Sequence, residues 1–248
     1  AIFDRYQPLP IVAIEEAPAG IPRVVVDNYR AMREAITHLI KVHDYRRIAF
    51  IRGPDPAHTG ARQRYQAYLD VLGEHGLPVD PDLVSPPSED EWVWATVVGE
   101  KGVSLLLDQR HADFDALVTA NDLYARGALN ALQARGMHIP SQVAILGFDD
   151  AAQSRWLTPP LTTVSLQTYE QGQKATEMLL TLLEGGQVPE MVDVPLKLIV
   201  RQSCGCVNPA VVQAAAGPVK LMGKLPEGSI DEQRPDILTA INQAANTT

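Results

Sequence analysis

The chain has 248 residues, 46% of them hydrophobic and 21% charged, a balance that suits one large or two small globular domains and argues against a mainly disordered chain. With 21 basic against 30 acidic side chains the net charge is −9, and no basic stripe offsets it, so direct binding to a phosphate backbone is not expected. No apolar run approaches the roughly 18 residues of a membrane span, and Ala1-Ile2-Phe3-Asp4-Arg5 lacks the charged-then-apolar order of a signal peptide.

In chain order, Ile11-Val12-Ala13-Ile14 and Val24-Val25-Val26 read as short strands. Met32, Ala35, Ile36, Leu39 and Ile40 then make one apolar helix stripe. Ile48-Ala49-Phe50-Ile51 is a continuous apolar strand closed by Gly53-Pro54, and Thr59 can cap a helix that buries Tyr65, Tyr68, Leu69 and Leu72 before stopping at Gly76. Ser88 and Glu91 form a capping box ahead of a helix over 92–107. Strand Ala116-Leu117-Val118, a helix from Asn121 to Gly136 and strand Val143-Ala144-Ile145-Leu146 repeat the pattern. Ala175, Met178, Leu179, Leu182 and Leu183 mark a further helix stripe ending at Gly185-Gly186, and 192–200 reads as a last strand. Alternation of this kind builds parallel sheets with helices on both faces, so the fold class is α/β. From Val207 the chain turns linker-like, with a weak amphipathic segment at Ile237, Leu238, Ile241 and Ala245 that reads as a frayed tail or as a helix leading onward.

In open parallel sheets ligands bind beyond the carboxyl ends of the strands. Three polar clusters fall there: Arg62 and Arg64 after the 48–51 strand, Asn121-Asp122 after 116–118, and Asp149-Asp150 after 143–146. A guanidinium, an amide and a carboxylate can each grip two neighbouring polar atoms, which suits a ligand rich in hydroxyls or ring nitrogens. Each cluster also has a plain structural reading. Asn121 is an ordinary helix cap and Asp122 a first-turn acid; Asp149-Asp150 fits a turn, and the two arginines fit a solvated helix face. Trp92 and Trp94 offer either a stacking face for a sugar ring or core packing.

The six histidines (His38, His43, His58, His75, His111 and His138) show no metal-ligand spacing. The only cysteines, Cys204 and Cys206, cannot make a disulfide framework, and two thiols with no histidine nearby are too few for a zinc site. No metal or cofactor is expected, and a reducing, cytoplasmic setting fits. Dinucleotide, P-loop, nucleophile-elbow and zinc-protease motifs are absent, so no enzyme is expected. An alternative of a different class has Asp149 and Asp150 holding Mg²⁺ in an α/β enzyme.

The order of Val25-Val26-Asp27-Asn28, His38-Leu39-Ile40, Arg46-Arg47-Ile48-Ala49-Phe50-Ile51-Arg52-Gly53 and Ala61-Arg62-Gln63-Arg64 resembles the effector-binding domain of the LacI/GalR repressors. So does that of Thr119-Ala120-Asn121-Asp122, Ile139-Pro140, Gly147-Phe148-Asp149-Asp150, Pro160-Leu161-Thr162-Thr163-Val164 and Arg201-Gln202-Ser203-Cys204; the likeness covers residues 8–206. It implies a type I periplasmic-binding-protein fold, two doubly wound parallel-sheet subdomains with a ligand cleft between them. One would comprise 8–44 and 166–195, the other 45–165 and 196–206, with 207–248 as linker or tail.

By position, the resemblance assigns ligand binding to Arg64, Asn121 and Asp149, with Trp92 or Trp94 near an aromatic that stacks on ligand in some members. It implies a homodimer that binds a sugar or related metabolite and controls DNA through a separate headpiece. The family's opening strand–helix–strand–helix unit and headpiece have no counterpart in these residues. Other departures are Leu166 and Thr168, where members often carry a glutamine and an aromatic, and Ala67 in place of a frequent glycine. Val42-His43-Asp44-Tyr45 is longer than the usual stretch, and the ending Ser203-Cys204-Gly205-Cys206 resembles that of relatives placed upstream of signalling domains. That ending keeps open a sensor whose output lies after residue 248.

Overall fold

The computed structural model describes residues 9–54, 58–87 and 95–207. Its first elements are β1 (Ala13–Ile14), β2 (Arg23–Val26), α1 (Asn28–His43), β3 (Ile48–Ile51), α2 (Thr59–Glu74), α3 (Thr96–Val103) and β4 (Ala116–Thr119). There follow α4 (Asp122–Ala134), β5 (Ala144–Leu146), β6 (Thr163–Ser165), α5 (Thr168–Leu183), β7 (Met191–Val194) and β8 (Lys197–Ile199).

The three continuous apolar runs become β3, β4 and β5, in which every residue is buried, paired parallel in the order β3-β4-β5. Their alternate residues divide between two cores, as the period of a strand requires. Ile48, Phe50, Ala116, Val118, Ala144 and Leu146 join the stripe of α1 and the buried face of α2. Ala49, Ile51, Leu117 and Ile145 face the other way, among α4 and the segment after α3. Helix α3 lies close against α4: a Cβ at Gly99 would overlap the Tyr124 carbonyl and one at Gly127 that of Thr96, so only glycine permits this approach. Beyond β5, bridges Leu146↔Thr162 and Asp149↔Ser165 carry β6 alongside, and β6 pairs antiparallel with β8.

A second parallel sheet has the order β1-β2-β7. Val24, Val26 and Val194 pack there with Met178 of α5. Leu166 and Leu196 touch both this core and the core beneath α1 and α2.

Several expectations shift. The strand expected over 192–200 is two strands in different sheets, β7 beside β2 and β8 beside β6, separated by Pro195, which has no N–H to give a ladder. His58 rather than Thr59 caps α2, its Nδ1 accepting from the Ala61 N–H at 3.2 Å. The helix expected from residue 92 is described from Thr96 and loosens into a π turn over Ser104–Gln109; Ser88 and Glu91 lie outside the described residues. All five residues of the α1 stripe are buried against β3 and α2, which ties the helix to the larger sheet. The tail segment at 237–245 lies outside the described residues.

Candidate functional site

The carboxyl ends of both parallel sheets supply the polar groups. Arg64 projects from the first turns of α2, after β3, and is 5% exposed. Its Nε donates to Asn28 Oδ1 at 2.9 Å and its Nη1 to the Ala120 carbonyl at 2.6 Å. Its guanidinium carbon lies 3.7 Å from the centre of the Phe148 ring, a cation–π stack that holds the fork flat. Asp149, after β5, places Oδ1 3.7 Å from Arg64 Nη1 while keeping 31% of its side chain exposed. Among the described residues no hydrogen bond reaches that carboxylate.

Burial dominates the charge balance. It lowers the Arg64 guanidinium to about 10 against the pull of Asp149 and Glu15, so the group stays cationic at neutral pH. It raises Asp149 to about 7, opposed by Arg64 and reinforced by Asp122. Glu15, in a left-handed conformation (φ 69) just after β1, is raised by burial and feels Arg64 as its strongest charged neighbour. Asp149 and Asp150 both have positive φ, 128 and 56. Residues other than glycine seldom hold such angles, though aspartate takes the left-handed region more readily than most.

Arg64 and Asp149, two of the residues singled out in the sequence, are thus brought together. Asn121 lies one residue from the carbonyl that Arg64 grips, but its Oδ1 caps α4, accepting from Tyr124 N–H at 2.8 Å, and the residue is 3% exposed. Trp92 and Trp94 lie outside the described residues. Asp122 is a structural acceptor: it takes hydrogen bonds from Ala151 N–H at 2.8 Å, Ser154 Oγ at 2.6 Å and Thr163 Oγ1 at 2.6 Å. Asp150 pairs with Arg201 at 2.7 Å. Each acid of the Asp149-Asp150 pair therefore faces its own guanidinium.

Sequence reasoning missed Asn28, Phe148 and Glu15 as neighbours of Arg64. Asn28 and Phe148 stand inside the quoted family stretches, and Glu15 follows a strand, so the strand-end rule could have found it. Beside Asp149 and Asp150 a cavity of about 520 Å³ opens, with Ser165, Gln167, Thr168 and Tyr169 on its wall. Leu166, between Ser165 and Gln167, packs inward against two cores.

One expectation is corrected outright. The thiols do have histidines beside them: His38, His43, Cys204 and Cys206 present ligand atoms all within 4.8 Å of one another. Helix α1 brings its carboxyl-terminal turns to the 201–206 turn, a proximity that no spacing in the chain announces.

Parallel sheets with polar strand ends, one carrying an arginine–aspartate pair, define a ligand-binding α/β architecture. The chain belongs to the periplasmic binding protein-like domain family, whose pattern matches residues 36–204. It is 32% identical to the transcriptional repressor MelR of Bacillus subtilis over 191 residues, 76% of this chain and 54% of that protein. It is 33% identical to the regulator AscG of Escherichia coli over 177 residues, 71% of this chain and 50% of that one. The chain therefore spans about half the length of these curated relatives. The crystal structure of the E. coli repressor AscG superposes with a TM-score of 0.70 at 30% identity, covering 82% of this chain and 71% of that one. A CelR–cellobiose complex gives 0.67 at 31%, covering 77% and 58%. A sugar-binding transcriptional regulator of the LacI family from E. coli gives 0.71 at 31%, covering 82% and 70%, so the chain is similar to the periplasmic binding protein-like domains of LacI-family regulators. Among the described residues no helix is long and apolar enough to cross a membrane.

Proposed function

We propose that the chain senses a small polyhydroxylated metabolite, sugar-like in its pattern of hydroxyls, that is gripped by Arg64 and Asp149 and flanked by Asn28 and Glu15. The observation that carries this reading is the buried Arg64 guanidinium stacked on Phe148 and held by Asn28 and Ala120, 3.7 Å from a partly exposed carboxylate that accepts no hydrogen bond from the described residues. A fixed donor fork beside a free acceptor matches vicinal hydroxyls. Contacts made in only one arrangement of the protein would shift its conformational balance by their difference in affinity. That shift would reach DNA through a headpiece outside this chain, in a cytoplasmic homodimer. The cellobiose bound by the related CelR supports a carbohydrate ligand.

Binding without catalysis is the favoured reading. Asp150 is taken up by Arg201 at 2.7 Å, so of the two acids only Asp149 is open to a ligand.

The test is a thermal-shift panel of sugars, sugar phosphates and nucleosides on the wild-type chain, Arg64→Ala and Asp149→Ala. A ligand at about 100 times its dissociation constant adds roughly 2.7 kcal/mol to stability. The expected result is a carbohydrate shift in the wild type that both variants lose. A shift kept in both variants moves the site elsewhere, and turnover of any panel compound removes the non-enzymatic reading.

A further inference from the structure

We propose that His38, His43, Cys204 and Cys206 form a tetrahedral site for one zinc ion, clasping the carboxyl end of α1 to the turn at 201–206. The spacing of the ligand atoms carries it. Cys206 Sγ lies 3.3 Å from His43 Nε2 and 3.5 Å from His38 Nε2, and Cys204 Sγ lies 3.6 Å from His38 Nε2. Zinc bonds of about 2.3 Å to sulfur and about 2.0–2.1 Å to nitrogen at the tetrahedral angle require S···N edges of about 3.5 Å. The measured edges bracket that value.

The surroundings hold these four groups in place. His43 is the last residue of α1, which Asp44 ends in a left-handed conformation (φ 60). Tyr45 stacks on the His43 ring at 5.5 Å, and its hydroxyl donates to the Cys204 carbonyl at 3.1 Å, so one side chain positions a ligand from each strand of the clasp. Support of this kind orients ligands for a metal. Gly205, between the two cysteines, has φ +103, and a Cβ there would lie 3.0 Å from Tyr45 Oη and 3.1 Å from His43 Nδ1. Only glycine lets the turn pass so close while presenting a thiol on either side. Cys204 is buried and the other three are partly exposed, which gives an ion a way in.

Two imidazoles and two thiols select zinc over oxygen-preferring Mg²⁺ or Ca²⁺. Four protein ligands leave no open position, so the role is structural: the ion ties together residues far apart in sequence. The assignment does not depend on the proposed ligand site, since it uses none of the residues there.

The experiment takes the full chain as purified, dialyses it against metal-free buffer and counts zinc per chain by mass spectrometry of the elements. The stripped chain is then titrated with Co²⁺ and followed by absorption. The expected result is one zinc per chain, with Co²⁺ giving a near-ultraviolet thiolate charge-transfer band and the intense visible bands of a tetrahedral ion, both abolished by added Zn²⁺. Cys206→Ser and His43→Gln should each lower the zinc count from one to near zero. The Co²⁺ spectrum of the unmutated chain decides the matter even where a variant fails to fold. Absence of zinc together with only the weak bands of octahedral Co²⁺ overturns the proposal. So does a zinc count of one in a Cys204→Ser/Cys206→Ser double variant, or a Cys204–Cys206 disulfide whose reduction restores no metal uptake.

Discussion

The two parallel sheets of this chain are built on different terms. Strands β3, β4 and β5 are buried throughout and covered by helices on both faces. In the β1-β2-β7 sheet burial alternates or fails along each strand, and α5 supplies the packing, with Ile14 50% and Met191 55% exposed. Parallel strands normally need both faces covered, so the first sheet carries most of the hydrophobic stabilisation and the second is the softer partner. Both sheets nevertheless bring polar groups to one locality, so the candidate site has a firm wall carrying Arg64, Asn28 and Asp149 and a compliant one carrying Glu15.

The largest effect that would break this contrast is a pair of core truncations. Phe50 lies at 0% exposure among Tyr65, Tyr68 and the α1 stripe, and Phe50→Ala should destabilise by about 4 kcal/mol. Val24 is equally buried but sits in the small core with Met178 and Val194, and Val24→Ala should cost about 2 kcal/mol. Urea unfolding with unchanged slope measures both. Amide exchange gives the sharper reading: β3–β5 amides should exchange only on global unfolding, and those of β2 and β7 through a cheaper local opening. Equal protection in the two sheets would abolish the distinction.

Next in size is Asp122. Its carboxylate takes three donors from a neighbouring loop and β6, and Asp122→Ala would strand all of them. The expected loss is about 3 kcal/mol, confined by exchange to the α4–β6 side. A loss below about 1 kcal/mol would mean that water reaches these groups and that the firm wall is less firm than its geometry.

The same contrast explains what the sequence disclosed. Runs such as Ile48–Ile51 are apolar at every position because both faces are covered, and they are legible without any partner. The α1 stripe says that a face is buried but not against which sheet; the structure buries it with β3 and α2. The 192–200 run read as one strand because periodicity does not register a change of sheet, though Pro195 was a visible break. At the candidate site, strand-end placement is legible for Arg64 and Asp149, which lie 3.7 Å apart, and for Asn121, whose oxygen caps α4 as its sequence position equally allows. The histidine–cysteine cluster was missed because ligand spacing was sought within the chain. Its members come from the last turns of α1, His38 and His43, and from the 201–206 turn, Cys204 and Cys206, which only the fold sets side by side.

The smallest effect concerns protons and tests which wall governs the site. Burial raises Asp149 from an ordinary value of 3.8 to about 7, so the folded state holds a proton that the unfolded chain has released. The folded state then binds more protons than the unfolded one, and the slope of stability with pH is negative. The stability tied to the neutral carboxyl is present below about pH 4 and is lost as pH rises through about 7. Glu15 and Asp122 shift in the same direction, so the diagnostic quantity is the difference between the wild type and Asp149→Asn, which should flatten part of this decline. Arg64, Phe148 and Asp122 all surround Asp149 from the firm side. The difference should therefore appear in the exchange of β3–β5 amides and leave those of β2 and β7 unchanged. If it appears in β2 and β7 instead, Asp149 is governed by contacts with the softer sheet, and opening of that sheet is what the carboxylate senses.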